Sequence, residues 1–574
     1  MTPFHAPIDD SLRDELSAYD DLTAALLARR GVRTAKEAEQ FLNPSYERHL
    51  HDPLQMKNMP VAAARLARAI SDGEYIAVWS DYDADGIPGG VVLHDFLKKV
   101  GAHFTNYIPH RHLEGYGVNV MGIEKLAKEG VALVITVDSG ITDTEPVARA
   151  KELGVDVIVT DHHQPGEILP DAYAVVDPKQ DGETYPFREL CGAALAWKLV
   201  VATLAHGFTG REHIPEGWEK WLLDMAGLAT IADMVPLVDE NRVLAHYGLL
   251  VLRKSPRAGL VALCRTMRVN QRALSEDDVS FMIAPRVNAA SRMGDPIDAF
   301  RLFATDDIVE ANELAKKLEA ANRRRRSASA AITRHVHARL AEQGARADLP
   351  PVLALGDPEW SPALLGLVAG TIAEEYGRSV FLWGREVNQT IKGSCRSNGT
   401  TDVFSLMNAA PDTFVQSGGH ALAGGFSVRA DAVFDFATRL NEAHARLLLE
   451  HGAAEEALPL RADAELALAD ATHGLLVRLE QLAPFGEGNR KPAWLLREIE
   501  VGKVSWFGKN EEHLKISLPQ ARSTLEAVAF FAKHDLRERA RQLQPGTRVT
   551  LLAHVERDTF LRRNALRLRV LSLT

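Results

Sequence analysis

The stretch AVWSDYDADGIPGG, residues 77–90, constrains the fold most strongly, because an apolar run ends there in three aspartates at alternate positions. Alternate residues of an extended chain point the same way, so a strand that leads into a turn would display these carboxylates together. Packing has no need for clustered like charges, which repel one another. A divalent cation would compensate them, and the stretch therefore predicts a strand that ends at a metal site.

The same pattern returns further along the chain, where acidic or histidine residues end an apolar run or lie within a helix. The residues concerned are Asp81, Asp83, Asp85, Asp138, Asp161, His162, His163 and Asp233. For any single aspartate, the role of a simple helix cap is an equally good interpretation. The four groups together, and above all the adjacent histidines, are harder to explain by capping.

Short apolar runs alternate with helical stretches between about residues 74 and 235, which predicts an α/β fold with a doubly wound parallel sheet. Buried strands are expected at Tyr75–Trp79, Ala132–Val137 and Val155–Thr160. Because the carboxyl ends of parallel strands line one crevice, three of the four groups should converge there. Their oxygen and imidazole donors suit Mn²⁺ or Mg²⁺, and two such ions could activate water for phosphodiester hydrolysis.

The pattern divides the 574 residues into four parts. Residues 1–305 are predicted to form the parallel-sheet domain with an N-terminal extension, and 306–344 a long connecting helix. A second α/β domain is expected at 345–455 and a small β-barrel such as an OB-fold at 456–574. The barrel is predicted because short alternating strands replace the helical pattern in this last part.

Composition narrows the function only weakly. A formal net charge of -11 argues against an extended nucleic-acid coat but is compatible with a nucleic-acid enzyme that has local basic grooves. The three cysteines match no zinc or disulfide spacing, no apolar run approaches the ~20 residues of a membrane helix, and the N-terminus has no signal-peptide character. A reducing cytoplasm is the expected location, with no membrane partner.

The ordered motifs resemble those of a known family. DYDADG, VDSG, TDHH and ATIADMVPL, in this order, are similar to the four motifs of the DHH phosphoesterase superfamily. The stretches RHLEGYG, PRVNAASRMGDP, GSCRS, SGGHALAGGFS and LAPFGEGN narrow the resemblance to the RecJ family of single-stranded-DNA-specific exonucleases. This resemblance implies a DHH domain, a DHH-associated substrate-binding domain and an OB-fold, which is the layout that the pattern predicts.

The resemblance also implies roles for the residues of the first four motifs. His163 would be a catalytic acid or would support a metal ligand, and Asp161 would orient the histidines through hydrogen bonds. Asp138 would bridge the two ions, and Asp81 stays open between ligand and cap. The implied metal ligands are Asp83, Asp85, Asp138, His162 and Asp233.

Two positions depart from the family pattern. Trp79 stands where many relatives have a histidine, which predicts a first metal site that is weaker or completed by water. Ser361 stands where relatives often carry a histidine, so a role at that position is in doubt.

Substrate binding is implied for loops rich in glycine, serine or asparagine, where arginine forks can meet phosphates. Tyr116 is either core packing or a base-stacking platform. In the barrel, Trp506, Phe507, Lys509 and Lys515 suit contact with a single strand, with core packing as the alternative for the aromatic residues. The implied substrate-binding residues are Arg111, Tyr116, Arg286, Arg292, Ser394, Arg396, Gly418, Gly419 and His420.

The expected function is a Mn²⁺- or Mg²⁺-dependent exonuclease that degrades single-stranded DNA in the 5′→3′ direction to mononucleotides, in DNA repair and recombination. Hydrolysis follows from the metal-site pattern, whereas the DNA substrate, the direction and the partners (a single-strand-binding protein and a helicase) are implied by the resemblance. One alternative is a DHH phosphodiesterase of short oligonucleotides or cyclic dinucleotides, which usually lacks a terminal OB-fold. Another is a catalytically inactive replisome scaffold, which would have lost ligands that this chain keeps.

Overall fold

The structure is a computed structural model that describes residues 8–386, 389–451, 461–508, 511–519, 525–532, 534–558 and 565–574. These residues form two compact units. The first unit contains the described residues up to Asn322 together with Asp470–Pro492, and the second contains Arg323–Ala469 and Ala493–Thr574. Within the described ranges, no helix combines the length and the apolarity that a membrane crossing requires.

The first unit is built on a five-stranded, fully parallel sheet in the order β2-β1-β3-β4-β5. The three predicted strands are confirmed, whereas β2 and β5 were not predicted. These two lie at the edges of the sheet and are short, and β2 is only half-buried, so neither has a long apolar run in the sequence. The strands are Ile76–Ser80 (β1), Phe104–Tyr107 (β2), Leu133–Val137 (β3), Asp156–Thr160 (β4) and Ala174–Val176 (β5).

Helices cover both faces of this sheet, as a doubly wound fold requires. Buried side chains of α5, α6 and α9 pack on one face and those of α7 and α8 on the other. The helices up to residue 304 are Asp10–Glu15 (α1), Asp21–Ala28 (α2), Ala35–Leu42 (α3), Tyr46–His49 (α4), Met59–Asp72 (α5), Gly86–Val100 (α6), Val120–Lys128 (α7), Thr144–Glu152 (α8), Gly192–Leu204 (α9), Leu223–Ala232 (α10), Asp239–Leu252 (α11), Ala258–Met267 (α12), Glu276–Asp278 (α13), Ala284–Met293 (α14) and Ile297–Ala304 (α15).

The predicted long helix is present as Ile308–Gln343 (α16), and the boundary between the units falls within it. The second α/β pattern forms a sheet in the order β6-β7-β8-β10-β9, in which β6 and β7 are parallel and the other pairs antiparallel. Its elements are Val352–Gly356 (β6), Pro362–Tyr376 (α17), Ser379–Arg385 (β7), Ile391–Arg396 (β8), Val403–Asn408 (α18), Phe414–His420 (β9), Ala423–Val428 (β10) and Phe436–His451 (α19).

The last part of the chain is rich in strands, as predicted, and its described strands pair as one series, β11-β12-β16-β17-β15-β14-β13. Buried residues alternate along β14 and β17, so that one face of each strand packs inward. The elements are Ala464–Glu465 (β11), His473–Glu480 (α20), Trp494–Glu500 (β12), Val504–Phe507 (β13), His513–Ser517 (β14), Glu526–Ala529 (β15), His534–Gln542 (α21), Arg548–Asp558 (β16) and Ala565–Leu573 (β17).

The predicted domain at 456–574 stays a prediction. Part of it, Asp470–Pro492, here called the return segment, packs with the first unit. The buried guanidinium of Arg242 in α11 donates hydrogen bonds to the backbone oxygens of Leu482 (3.1 Å) and Ala483 (2.9 Å). Buried donors require such partners, but a sequence pattern does not reveal which distant carbonyl groups supply them.

Candidate metal centre

The backbone brings the acidic groups together one residue beyond the ends of three neighbouring strands. The N–H group of Asp81 donates to the last carbonyl of β3, at Val137 (3.1 Å), and that of Asp138 donates to the last carbonyl of β4, at Thr160 (3.0 Å). Asp161 likewise donates to the last residue of β5 (3.1 Å). Each aspartate therefore extends the hydrogen-bond ladder of a parallel sheet, which places all three at the same edge.

Seven of the eight predicted acidic and histidine residues contribute ligand atoms to close groups at this edge. Within each group, one ligand-type atom per residue lies within 4.8 Å of the others. Asp138 and His162 each occur in two groups, so the groups overlap rather than form separate sites. The groups are Asp81, Asp83 and Asp138; Asp85, His162 and Asp233; and Asp138, His162 and His163.

Backbone amides fix two of the carboxylates. Asp85 accepts hydrogen bonds from the N–H groups of Gly192 (2.6 Å) and Ala193 (2.8 Å) at the start of α9. Asp83 accepts from the N–H groups of Asp85 (2.8 Å) and Gly86 (3.2 Å), where α6 begins. The free N–H groups at the N-terminus of a helix favour nearby negative charge, so these contacts orient and stabilise both carboxylates.

Asp138 has a strained backbone. Its φ angle is +61°, in the left-handed region that side chains other than glycine enter rarely. Gly192 makes this position possible, because a Cβ atom there would lie 2.6 Å from the Cβ of Asp138. Strain of this kind persists where the surroundings enforce it and is common at functional sites.

The two histidines differ sharply in charge. Nε2 of His162 lies 3.0 Å from Asp138, 3.5 Å from Asp85 and 3.8 Å from Asp233. Burial, reinforced by the neighbouring His163, lowers the pKa of His162 to about 3. The ring is therefore neutral at physiological pH, which is the form that binds a metal ion.

His163 is held in the protonated form. Burial opposes its charge, but the carboxylates of Asp161, Asp233 and Asp85 outweigh that effect and raise the pKa of His163 to about 9. Its Nδ1 lies 2.7 Å from Asp161, and the hydroxyl of Tyr116 lies 3.1 Å from the same nitrogen. The pKa of Asp161 is lowered, because the hydrogen bond and charge of His163 outweigh the effect of burial.

The remaining carboxylates lack compensating charge. Burial, and after it the neighbouring carboxylates, raise the pKa of Asp81 and Asp138 well above the usual range, that of Asp85 to about 6 and that of Asp233 to about 9. In the described part of the chain, buried Oδ1 of Asp81 also lacks a hydrogen-bond partner. A divalent cation would both balance the negative charge and give Oδ1 of Asp81 a partner. Oxygen donors with one imidazole suit Mn²⁺ or Mg²⁺.

Three residues at this edge were not predicted. Asn288 accepts a hydrogen bond from the N–H group of Ala84 (2.9 Å) and so holds the loop between Asp83 and Asp85, but the sequence offers no signal for that contact. Asp177 is buried directly after β5, and burial raises its pKa to about 7. It follows an apolar run as the predicted aspartates do, so the same pattern could have found it.

Tyr82, the third unpredicted residue, packs against Arg111, which was predicted to bind substrate. The guanidinium of Arg111 lies 4.9 Å from the centre of the Tyr82 ring, within the aspartate loop. The backbone oxygen of Arg292 is 3.3 Å from the ring of His112, next to Arg111.

Arg286, in contrast, is buried and donates to Glu319 (2.7 Å) and to the Met282 carbonyl (2.6 Å), so its guanidinium already has partners inside the unit.

Trp79 lies in the core and packs under α7. Its indole stacks on Tyr107 at 4.2 Å, and a Cβ atom on Gly122 of α7 would lie 2.3 Å from the Trp79 ring. The ring therefore fills the layer between the sheet and α7. That Trp79, in place of the histidine of many relatives, weakens the first metal site stays a prediction.

In the second unit, strand register brings most of the predicted phosphate-binding residues onto one face. Arg396 in β8 pairs with Ala423 in β10, which pairs with His420 in β9. Two residues further along, Ser394 in β8 and Gly418 in β9 both pair with Gly425 in β10. Gly419 falls on the opposite face, with φ +142°, where a Cβ atom would lie 2.4 Å from a backbone oxygen.

Arg396 is the most distinctive residue of that face. Its guanidinium lies against α17, where a Cβ atom on Gly366 would be 2.9 Å from Nη2, and Nη1 donates to the Cys395 carbonyl (2.7 Å). Burial lowers the pKa of Arg396, and among the described residues no carboxylate forms an ion pair with it. Ser361, the second departure from the family pattern, directly precedes α17.

Three family models match the chain in the order of its domains. The DHH family N-terminal domain matches residues 75–230, the DHHA1 domain 349–445 and the RecJ OB domain 462–572. Together with the acidic edge of the parallel sheet, these matches define a protein of the DHH class.

Relatives define the family more narrowly. The single-stranded-DNA-specific exonuclease RecJ of Dickeya dadantii is 31% identical, over 91% of this chain and 90% of the relative. RecJ of Bacillus subtilis is 36% identical over 93% of this chain, which spans 65% of that longer relative. The crystal structure of Thermus thermophilus RecJ in complex with Mn²⁺ matches with a TM-score of 0.77 and 28% identity, covering 98% of this chain and 77% of that one. The chain belongs to the RecJ family.

The unbalanced charge of Asp233 leads to a prediction for the metal-free protein. Its pKa in the folded state, about 9, lies above that of an unfolded aspartate, about 4, so folding favours the protonated form and stability falls as pH rises through this window. In the presence of a chelator, the melting temperature of the native protein should drop between pH 5 and pH 8, whereas Asp233→Asn should remove much of that drop. Mn²⁺ should stabilise the native protein more than the variant. An identical pH profile for both proteins would contradict the assignment.

Proposed function

We propose that this protein is a Mn²⁺- or Mg²⁺-dependent exonuclease that hydrolyses single-stranded DNA in the 5′→3′ direction, releases mononucleotides and acts in DNA repair and recombination. The observation that carries the proposal is the overlap of ligand groups at Asp138, which allows one carboxylate to serve two ions. Membership of the RecJ family supports the choice of substrate. The ligands would be Asp83, Asp85, Asp138, His162 and Asp233, with Asp81 as a further candidate from the first group.

Bound at these residues, two divalent cations would supply activation of water and stabilisation of the leaving oxygen. The chain itself keeps the ring of His162 neutral, so its lone pair is free for a metal ion. It also holds a proton on His163, at a position fixed by Asp161. An imidazolium there can donate a hydrogen bond to a phosphate oxygen or a proton to the leaving group.

Tyr116 fits a positioning role in addition to any contact with a base. Its hydroxyl donates to the Asp138 carbonyl at 3.1 Å and lies equally close to Nδ1 of His163. About half of the residue is exposed, so one part of the ring is accessible while the hydroxyl is engaged. A positioning role for the hydroxyl and a base contact for the ring are therefore compatible.

Terminal phosphate is proposed to bind at Arg396, with Ser394, Gly418, Gly419 and His420 nearby in the sheet. A half-buried guanidinium without a carboxylate partner, with one nitrogen bound to the Cys395 carbonyl, still has other donors for an anion of matching geometry. Glycines next to it allow a backbone to approach closely. Arg111 and Arg292 are proposed to bind phosphates in the first unit.

The last part of the second unit offers a stacking surface for a single strand. Phe507 and His513 have ring centres 5.0 Å apart, His513 and Phe531 4.7 Å, and Phe531 is 64% exposed. Arg567 lies over Phe530 at 4.9 Å. Lys515 is engaged with Glu526, and Lys509 lies outside the described residues. Exposed aromatic faces on which bases can stack are typical of sites that bind single strands without sequence preference.

The alternatives have less support. A phosphodiesterase of short oligonucleotides would have no use for an OB domain, and the chain matches the RecJ OB model over residues 462–572. An inactive scaffold would not need overlapping ligand groups. A single-strand-binding protein and a helicase remain proposed partners by analogy with the family's substrate.

The direct test is digestion of end-labelled single-stranded and duplex DNA with Mn²⁺, Mg²⁺ or chelator. The native protein should degrade single strands only with metal, and Asp138→Ala should reduce hydrolysis to background, because it removes the carboxylate shared by both ions. Asp72→Ala, an exposed aspartate at the end of α5, is the control and should behave as the native protein. Normal turnover by a folded Asp138→Ala protein would rule out a shared ligand.

Arg396→Ala should reduce the preference for a 5′-phosphorylated end by about tenfold or more, because a charge-assisted hydrogen bond to phosphate is lost. Rates on 5′-phosphate and 5′-hydroxyl strands give the measurement. Arg385→Ala, an exposed arginine on the neighbouring strand β7, should leave the preference unchanged. An equal loss on both substrates would show that Arg396 binds the DNA backbone generally.

Phe531→Ala should weaken the binding of long single strands by about 1–3 kcal/mol, the usual contribution of one base stacked on an aromatic ring. Cleavage of very short oligonucleotides should be affected much less. Phe434→Ala removes an equally large ring that is 100% exposed outside the aromatic cluster, and serves as the control. Equal affinities for the two variants would exclude stacking on Phe531.

A further inference from the structure

Asp233 is held differently from the other acidic ligands. Asp83 and Asp85 each accept hydrogen bonds from backbone amides, and the carboxylate of Asp138 lies 3.0 Å from Nε2 of His162. Among the described residues, the only polar contact of the Asp233 carboxylate is with Nε2 of His162, at 3.8 Å. Its position is therefore set by the backbone at the end of α10, where the next residue, Met234, has φ +60°.

The return segment packs on the turn that follows Asp233. The N–H group of Leu237 donates to the Glu487 carbonyl at 2.8 Å. Two glycines of the segment face this turn: a Cβ atom on Gly488 would lie 3.1 Å from Cβ of Pro236, and one on Gly486 would lie 2.7 Å from a methyl group of Leu237. The backbone of residues 486–488 therefore touches the chain three to four residues beyond Asp233.

A buried polar network holds the segment in this place. Asn489 is fully buried, and its Nδ2 donates to the carbonyls of Leu482 (2.8 Å) and Pro484 (2.7 Å). Its Oδ1 accepts from Nε of Arg30 (2.6 Å). Arg242 binds the same turn of the segment from α11, so two guanidinium groups and one amide fix its conformation. Satisfied buried networks of this kind enforce one arrangement.

We propose that the return segment is a positioning element for Asp233, and that the contact of Gly486–Gly488 with Pro236 and Leu237 sets the affinity of the Asp85, His162 and Asp233 group for its cation. The proposal rests on the proposed metal-dependent function. A ligand without amide hydrogen bonds depends on its supporting backbone, so a shift of this turn moves the carboxylate directly. The segment is distant in sequence from α10, yet it completes the surroundings of the ligand.

The experiment is a calorimetric titration of the full-length protein with Mn²⁺. Gly488→Ala places a methyl group against Pro236 at a backbone φ of +70°. Its matched control is Gly101→Ala, which has the same φ of +70° at the end of α6 but nothing within 4 Å of the new methyl group. Both variants carry the same backbone strain, whereas only Gly488→Ala should bind one Mn²⁺ about tenfold more weakly.

The milder Gly486→Ala, which has no positive φ and presses on the Leu237 side chain alone, covers the case in which Gly488→Ala fails to fold. It should also weaken one Mn²⁺ site relative to Gly101→Ala. Unchanged Mn²⁺ affinity in a folded variant of the segment would overturn the positioning role. Absence of Mn²⁺ binding by the native protein would instead contradict the proposed metal-dependent function.

Discussion

Repulsion among buried carboxylates at one edge of the parallel sheet is the constraint on which the rest of the structure depends. Asp81, Asp85 and Asp138 are almost completely buried, and the pKa of each is raised. Such a cluster opposes folding unless dipoles or cations balance it. The amides at the start of α6 and α9 supply part of that balance, and the proposed cations supply the remainder.

Much of the surrounding architecture serves this edge. The doubly wound topology directs β1, β3 and β4 to a common end, and Gly192 lets α9 approach Asp138 closely enough to direct amides at Asp85. The pair of histidines divides two tasks, because one ring is deep enough to lose its proton and the other lies next to enough carboxylates to keep it. Adjacent residues of one type thus acquire different charge states, one neutral and one positive, from their surroundings.

The sequence predicted the central strands and the acidic edge because both leave periodic signals: apolar runs of strand length, each ended by a ligand-type side chain. It could not predict β2, whose four residues are half-buried at an edge, or the contact of Asn288 with the aspartate loop. It also gave no sign of the contact of Arg286 with Glu319, while the role of Arg286 in substrate binding stays a prediction. Register placed Ser394, Arg396 and His420 on one face, which loop composition alone does not determine.

The discontinuous first unit has a consequence for biosynthesis. A ribosome makes the chain from the N-terminus, and domains usually fold as they emerge. Here the parallel sheet emerges early, but the turn beyond Asp233 lacks its neighbour until Pro492 has been made, after the whole DHHA1 match at 349–445. From the synthesis of Asp233 until that of Pro492, a nascent chain therefore carries the acidic edge without the return segment, so the proposed metal centre is completed late, shortly before the last strands are made.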